Sequence, residues 1–305
     1  MATSTGATAL NFPTQLVAEM FNAVKGHSSL ARLCAAKPLP FAGATEFVFS
    51  MDGEAEIVGE AENKAPGEAD FTPVTVRPVK FVYQHRVSNE FLNLTEEARI
   101  PVLQEFAAGF SAKIARGLDI AAFHGLNPKT MLASSVVGNN NFDTAVTKTV
   151  NVGSDPVDEA YESAVAAVLD NEREITGSAL SPKFASAMGQ IKANGISQYP
   201  EFKFGGTPER FAGRLVDING TVNKKLSTAT VRDLAIVGDF EKAFRWGYAK
   251  NIPLEVIEYG DPDGLGDLKR KNQVCLRSEA FIGWAILDAE SFARIVDTVT
   301  AGQTA

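Results

Sequence analysis

The sequence predicts an α+β fold, and three patterns carry that prediction. Between residues 44 and 90, apolar and polar side chains alternate with the period of two that marks strands. From Pro101 to Phe123, apolar residues recur every three or four positions, the spacing of a long helix. Beyond residue 195, short apolar runs separated by turn residues dominate. The resulting order is helix, ribbon, helix, strands, two helices, then mostly strands and a closing helical turn. That is not the regular strand–helix alternation of a doubly wound sheet, and no internal repeat is present.

Residues 12–25 fit a short amphipathic helix, with Pro13 in its first turn and Leu16, Val17, Met20, Phe21 and Val24 on one stripe. Gly26 ends it. Ser28 or Ser29 can cap a second turn through Leu30, Leu33 and Cys34, stopped by Pro38 and Pro40.

In the next segment Phe47, Phe49 and Met51 alternate, as do Val74 and Val76, and then Val79, Phe81, Tyr83 and His85. Asp52 to Asp70 separates these runs and holds Glu54, Glu56, Glu60, Glu62 and Glu68 against the single cation Lys64. Pro73 and Pro78 confine the return strand to an edge or an isolated ribbon. A long β-hairpin with an acidic tip is expected. An isolated two-stranded ribbon is marginal in water, so this one is expected to lie on a neighbouring subunit, the alternative being a plain solvated loop.

Thr95, Glu96 and Glu97 suit a helix start, and Pro101 suits the first turn of a second helix. Leu103, Phe106, Phe110, Ile114, Leu118 and Ala121 form its stripe, with Glu105, Lys113, Arg116 and Asp119 off it. Gly125 and Pro128 stop it. A turn-rich β stretch follows, from Gly138 to Val152. Ser154-Asp155-Pro156 opens a helix through Tyr161, Val165 and Val168, and Ser181-Pro182 opens another to Asn194. Asn219-Gly220 is the strongest hairpin signal. Ala235-Ile236-Val237 and Leu254 to Ile257 are expected strands, Gln273 to Leu287 a long one, and Ala289 to Val296 a closing helical turn.

Composition narrows function. The 305 residues are 45% hydrophobic and 22% charged, which excludes collagen-like, coiled-coil and disordered classes. Two cysteines, Cys34 and Cys275, make no disulfide framework or zinc knuckle, and a reducing cytoplasm is expected. No apolar run is long enough to cross a membrane as a helix, and the first nine residues carry no Lys or Arg, so no signal or transit peptide is expected. The net charge of −8 argues against broad phosphate-backbone binding. There is no phosphate loop, H-E-x-x-H, G-x-S-x-G or C-x-x-C. His27, His85 and His124 are isolated in sequence; His124 and Cys34 are expected to be core residues. Gly260 to Asp267 lacks the third ligand position of a calcium loop and its closing Glu, so a flexible surface loop is expected. No catalytic residue, cofactor or metal is assigned.

Several segments together resemble a known family. Ile57-Val58-Gly59-Glu60 to Lys64, Asp70-Phe71-Thr72-Pro73-Val74-Thr75-Val76 and Val87-Ser88-Asn89-Glu90-Phe91-Leu92 are similar to the extended loop and its exit in tailed-phage major capsid proteins of the Hong Kong 97 type. Ile114 to Gly125 resembles the end of that family's spine helix. Ser181-Pro182-Lys183-Phe184, Gly238-Asp239-Phe240 and Glu279-Ala280-Phe281-Ile282-Gly283-Trp284 resemble its A-domain and final strand. The resemblance implies an N-terminal arm at 1–43 and an extended loop at 44–85. It further implies a P-domain with the spine helix at 86–152 and 241–285, and an A-domain at 153–240 and 286–305.

It also implies a major capsid protein that assembles with itself, as pentamers and hexamers, into an icosahedral shell around double-stranded DNA. The expected partners are separate scaffolding and portal proteins and weakly, non-specifically held DNA, with no membrane. The expected place is the virion, after synthesis in the host cytoplasm. Some relatives cross-link an extended-loop Lys to an Asn of a neighbour. Lys64 lies in the matching loop, but no partner Asn or catalytic Glu can be assigned. The densest basic run, Lys269-Arg270-Lys271, is the expected intersubunit contact for Glu54, Glu56, Glu60, Glu62 and Glu68. The alternatives are an encapsulin-type nanocompartment shell and, further off, a soluble enzyme.

Overall fold

A computed structural model of the chain describes residues 27–52, 55, 57–60, 64, 66, 68–90, 96–153, 156–223, 231–250 and 254–298. The helix expected over 12–25, the cap at Thr95, the opening Ser154-Asp155 and the acids Glu54, Glu56 and Glu62 lie outside the described residues. Helix α1 (Ser29–Leu33) starts where the Ser28 hydroxyl accepts from the Ala31 N–H, the expected cap. Strands β1 (Ala44–Asp52) and β2 (Glu68–Val76) pair in unbroken antiparallel register from Ala44 opposite Val76 to Asp52 opposite Glu68.

The hairpin does not run on to residue 85. At Arg77 the chain leaves the ribbon, and β3 (Pro78–Ser88) joins a different sheet. Pro78 supplies no ladder N–H and sits at the first position of that strand, where none is needed. The alternation through Val79 and Phe81 therefore belongs to a strand that packs on the long helix. That helix, α2 (Glu96–His124), is 29 residues and unbroken, about 44 Å long. It is not two helices. Pro101 lies inside it, near enough to its start that the missing N–H costs one bond without ending the helix. Its predicted stripe is the buried one: Leu103, Phe110, Ile114, Leu118 and Ala121 face the core, with Phe106 half-buried. Gly117 permits the close approach of β3, since a Cβ there would lie 3.2 Å from the Phe81 ring. Gly125 (φ 65°) ends it.

Helix α3 (Phe142–Ala145) is capped by Asn141, and β4 (Thr149–Asn151) follows. Next come α4 (Val157–Leu169), β5 (Gly177–Leu180) and α5 (Pro182–Gln190), the last capped by Ser181 as expected. Helix α5 stops short of Asn194, because Ile191 turns extended and the chain folds into a small hairpin of β6 (Lys192–Ala193) and β7 (Ile196–Ser197). Asn194 and Gly195 at its turn both have positive φ. Strands β8 (Arg210–Phe211) and β9 (Arg214–Ile218) precede β10 (Val231–Gly238), β11 (Phe244–Lys250), β12 (Leu254–Ile257), β13 (Gln273–Ile286) and β14 (Phe292–Thr298).

Two sheets result. In one, β13 is central: β3 lies along one side, and β11 and β12 share the other. The second has the order β4-β14-β10-β5-β9-β8, with the β4–β14 and β5–β9 pairs parallel. Among the described residues, Asn219-Gly220 makes no hairpin. The Asn219 side chain accepts from the Thr221 N–H, and the next strand, β10, is inserted between β14 and β5. The closing helix is also overturned. A 3₁₀ turn at Ala289–Ser291 is followed by a strand, because Phe292, Ala293 and Ile295 are buried between β10 and β4. A strand flanked on both sides reads as a continuous apolar run, which periodicity alone does not separate from a helix.

Among the described residues the core has two large parts, with smaller clusters around Leu103 and Leu39. Around α2 and the β13 sheet, Phe142 is the hub: its ring lies 5.0 Å from Phe292, 5.5 Å from Phe123 and 5.6 Å from Phe244. Under α4 and α5, Tyr161, Val168, Phe184, Met188, Val216 and Ile295 cover the second sheet. Cys34 and Cys275 are buried free thiols, and burial pushes Cys34 up to about 11.

Candidate assembly interface

The ribbon's two faces differ. At its root, Ala44, Val74 and the fully buried Val76 pack on Leu39 and Ala285, so the base is fixed to the body. Leu39 is held by a strap over β11, with Lys37 N–H donating to Trp246 and Leu39 N–H to Tyr248. Only glycine fits beneath that strap at position 247, where a Cβ would meet the Lys37 carbonyl at 1.8 Å. Glu46 forms an ion pair with Arg245. The opposite face carries Phe47 (69% exposed), Phe49 (47%) and Phe71 (63%). Phe49 and Phe71 are cross-strand partners with rings 4.7 Å apart. At the tip, Ile57, Glu60 and Lys64 are exposed, and Glu68 is the residue paired with Asp52.

Lys269, Arg270 and Lys271 form an exposed 3₁₀ turn anchored by buried Leu268 and closed by Asn272 at φ 54°. The Lys269 ammonium lies 4.6 Å over the Tyr259 ring, Lys271 donates to the Leu265 carbonyl, and Arg270 N–H donates to Asp267. Among the described residues, no ion pair joins this turn to the ribbon of its own chain. The Gly260 to Asp267 loop is not the free loop expected. Arg86 on β3 clamps it: Nε donates to both Asp263 oxygens at 2.9 and 2.8 Å, and Nη2 donates to Asp261 at 3.0 Å and the Gly266 carbonyl at 2.8 Å. The Arg86 hydrogen bond holds the Asp263 carboxyl down at about 2. Asp261 and Asp263 of the calcium-like sequence are thus committed to a guanidinium, and the loop is set against the β3–β13 pair.

Two buried charged clusters elsewhere in the body were not foreseen. Asp119, placed off the stripe from sequence, is fully buried. Its carboxylate accepts from Ser28 Oγ (2.6 Å), Ser29 N–H (2.9 Å), Leu30 N–H (3.3 Å) and Thr221 Oγ (2.8 Å), which fastens α1 to α2. Ser29 Oγ and Arg32 add bonds to Asp217 on β9. The available signal was a single Asp within the apolar run 118–123. The second cluster joins α2, α3, β10 and β14: the Arg294 guanidinium bridges Asp143 and Asp233, beside buried His124. Burial, with Asp143 adding to it, pushes Asp233 up to about 7. Burial works the same way on Asp143, but His124, Asp233 and Arg294 together hold it below the carboxylate range.

Burial pushes Asp119 up from 3.8 to about 6, against its hydrogen bonds. The folded state therefore binds this proton more tightly than the unfolded chain. The stability it contributes is complete below about pH 4 and lost as pH rises through about 6, on the order of 2–3 kcal/mol. Denaturant titrations at pH 4 and pH 7 should show a loss larger by that amount in the wild type than in Asp119→Asn, which starts lower overall and keeps the contribution of Asp233. Equal pH slopes in both would contradict it.

The family model described as the phage capsid family matches residues 10–297, nearly the whole chain. The chain belongs to the phage capsid family. This capsid protein is 34% identical to a solved chain from Mycobacterium phage Ogopogo, with a TM-score of 0.76 over 89% of this chain and 92% of that one. A chain from Gordonia phage Cozz is 25% identical, with a TM-score of 0.73 over 90% and 87%. A third structure, described as the capsid of an empty GTA particle with C5 symmetry, is 18% identical, with a TM-score of 0.60 over 90% of each chain, and speaks to the fold alone. No curated protein matches. The capsid protein is accordingly a major shell subunit of a structural family. Among its described residues, no helix is long and apolar enough to cross a membrane.

Proposed function

We propose that this capsid protein builds pentamers and hexamers of an icosahedral shell around double-stranded DNA, each copy laying its β1–β2 ribbon on the next. One observation carries the ribbon's role: among the described residues, nothing of its own body covers its aromatic face. In the domain terms of the resemblance, the extended loop is then 44–76. Strand β3, α2 and the β13 sheet form the P-domain, and the six-stranded sheet with α4 and α5 forms the A-domain. The alternative of an encapsulin-type compartment gains no support, since the matched structures named above come from phages and a GTA particle.

The acidic tip, Glu54, Glu56, Glu60, Glu62 and Glu68, is proposed to meet Lys269, Arg270 and Lys271 of the neighbour. Exposed pairs contribute only about 0–1 kcal/mol each and are screened by salt, so charge sets register while the aromatic face supplies adhesion. Lys269→Glu, Arg270→Glu and Lys271→Glu together should slow assembly at low ionic strength, with the defect shrinking as salt is raised. Light scattering across a salt series reads this, and an unchanged profile discards the pairing.

A further inference from the structure

The junction of α2, α3, β10 and β14 is built to hold more than an arginine bridge. Arg294 Nη2 takes Oδ1 of both carboxylates, Asp143 at 2.6 Å and Asp233 at 2.7 Å, while Nη1 holds the Asp143 carbonyl at 2.9 Å. Both Oδ2 atoms are thereby turned toward His124 Nδ1, at 3.2 Å from Asp143 and 3.5 Å from Asp233. The other ring nitrogen, Nε2, lies 2.9 Å from the Thr221 carbonyl, which can only accept. Nε2 therefore carries the hydrogen, and Nδ1 in a neutral ring presents a lone pair to two carboxylate oxygens. Asp233 is 1% exposed, and its Oδ2 makes no hydrogen bond. With both carboxylates ionised, one guanidinium leaves one negative charge in excess, which a proton held by Asp233 or His124, or a metal ion, must answer.

The spacing admits two cations. A proton on Nδ1 makes a hydrogen bond of about 2.7–3.2 Å, and the 3.2 Å to Asp143 Oδ2 lies at its long end. A tetrahedral zinc-like ion with bonds of about 2.0–2.1 Å sets its ligand atoms about 3.3–3.4 Å apart. The observed 3.2 and 3.5 Å bracket the second value, and all three ligand atoms lie within 4.8 Å of one another. A metal-bound histidine ordinarily donates its remote N–H to a carbonyl or carboxylate, and ligating carboxylates are themselves hydrogen-bonded. Thr221 and Arg294 fill those two places here.

We infer that His124 Nδ1, Asp143 Oδ2 and Asp233 Oδ2 form a structural site for a zinc-like divalent ion, tying the end of the long helix to the six-stranded sheet. Binding releases to solvent any proton these groups share, so affinity falls as pH drops. The test uses the full-length protein as purified, dialysed against Zn²⁺ and then against metal-free buffer, with metal per chain read by mass spectrometry. About one zinc per chain is expected to remain, Co²⁺ in its place should give the visible absorption of a tetrahedral site, and His124→Gln and Asp233→Asn should retain at least tenfold less. Should either variant fail to fold, the wild-type zinc content and Co²⁺ spectrum still decide. Wild-type protein that retains no zinc, and whose melting follows pH but not Zn²⁺, holds only a proton and overturns the inference, as does equal retention in folded variants.

Discussion

Replacing Phe47, Phe49 and Phe71 together by Thr yields a folded subunit that closes no shells. The three side chains touch solvent, not the core, and Thr keeps the strand preference of β1 and β2. Subunit stability should therefore change little. Assembly should change greatly, because burying these rings on a neighbour removes on the order of 300 Å² of apolar surface, about 7–8 kcal/mol per contact before the cost of association. No set of exposed tip charges offsets a loss of that size. Negative-stain images should show free subunits or open fragments, with circular dichroism unchanged; normal shells would refute the ribbon's role.

Arg294→Leu is the substitution expected to damage the subunit itself most. It leaves Asp143 and Asp233 facing each other in the interior without the guanidinium that bridges them. Removing one partner of a buried ionic group costs about 3–5 kcal/mol, more than the pair contributes net, because the remaining charge stays desolvated. Arg294→Lys should recover only part of that, since one ammonium cannot reach both carboxylates and the Asp143 carbonyl in the same geometry. Denaturant unfolding midpoints read both effects. A loss below 1 kcal/mol for the Leu variant would show that the cluster does not hold α2 and α3 to the six-stranded sheet.

The elements legible in the sequence were those with a local signature. The α2 stripe, the Ser28 and Ser181 caps, the ribbon's alternation and the long β13 strand all follow from spacing or from a capping residue. What failed depended on distant partners. Phe292 to Val296 is a strand because β10 and β4 flank it, and no residue within that run says so. Pro78 marks the change from one sheet to another, yet only the register of β3 on β13 shows that it is not an interruption in the hairpin. Asp263 has the look of a calcium ligand until Arg86, 177 residues away in sequence, is placed against it. Of the candidate contact, the acidic tip and the basic turn were readable as charge runs. The uncovered aromatic face was not, because alternation marks an apolar side without telling which side the body covers.

The ribbon's bed on a second copy is most directly tested by placing a photo-crosslinking phenylalanine analogue at Phe47 and irradiating assembled particles. Covalent products joining two chains, mapping outside the ribbon of the second, are the predicted result. Products confined within a single chain would mean that the ribbon is covered by its own body, and would contradict the account.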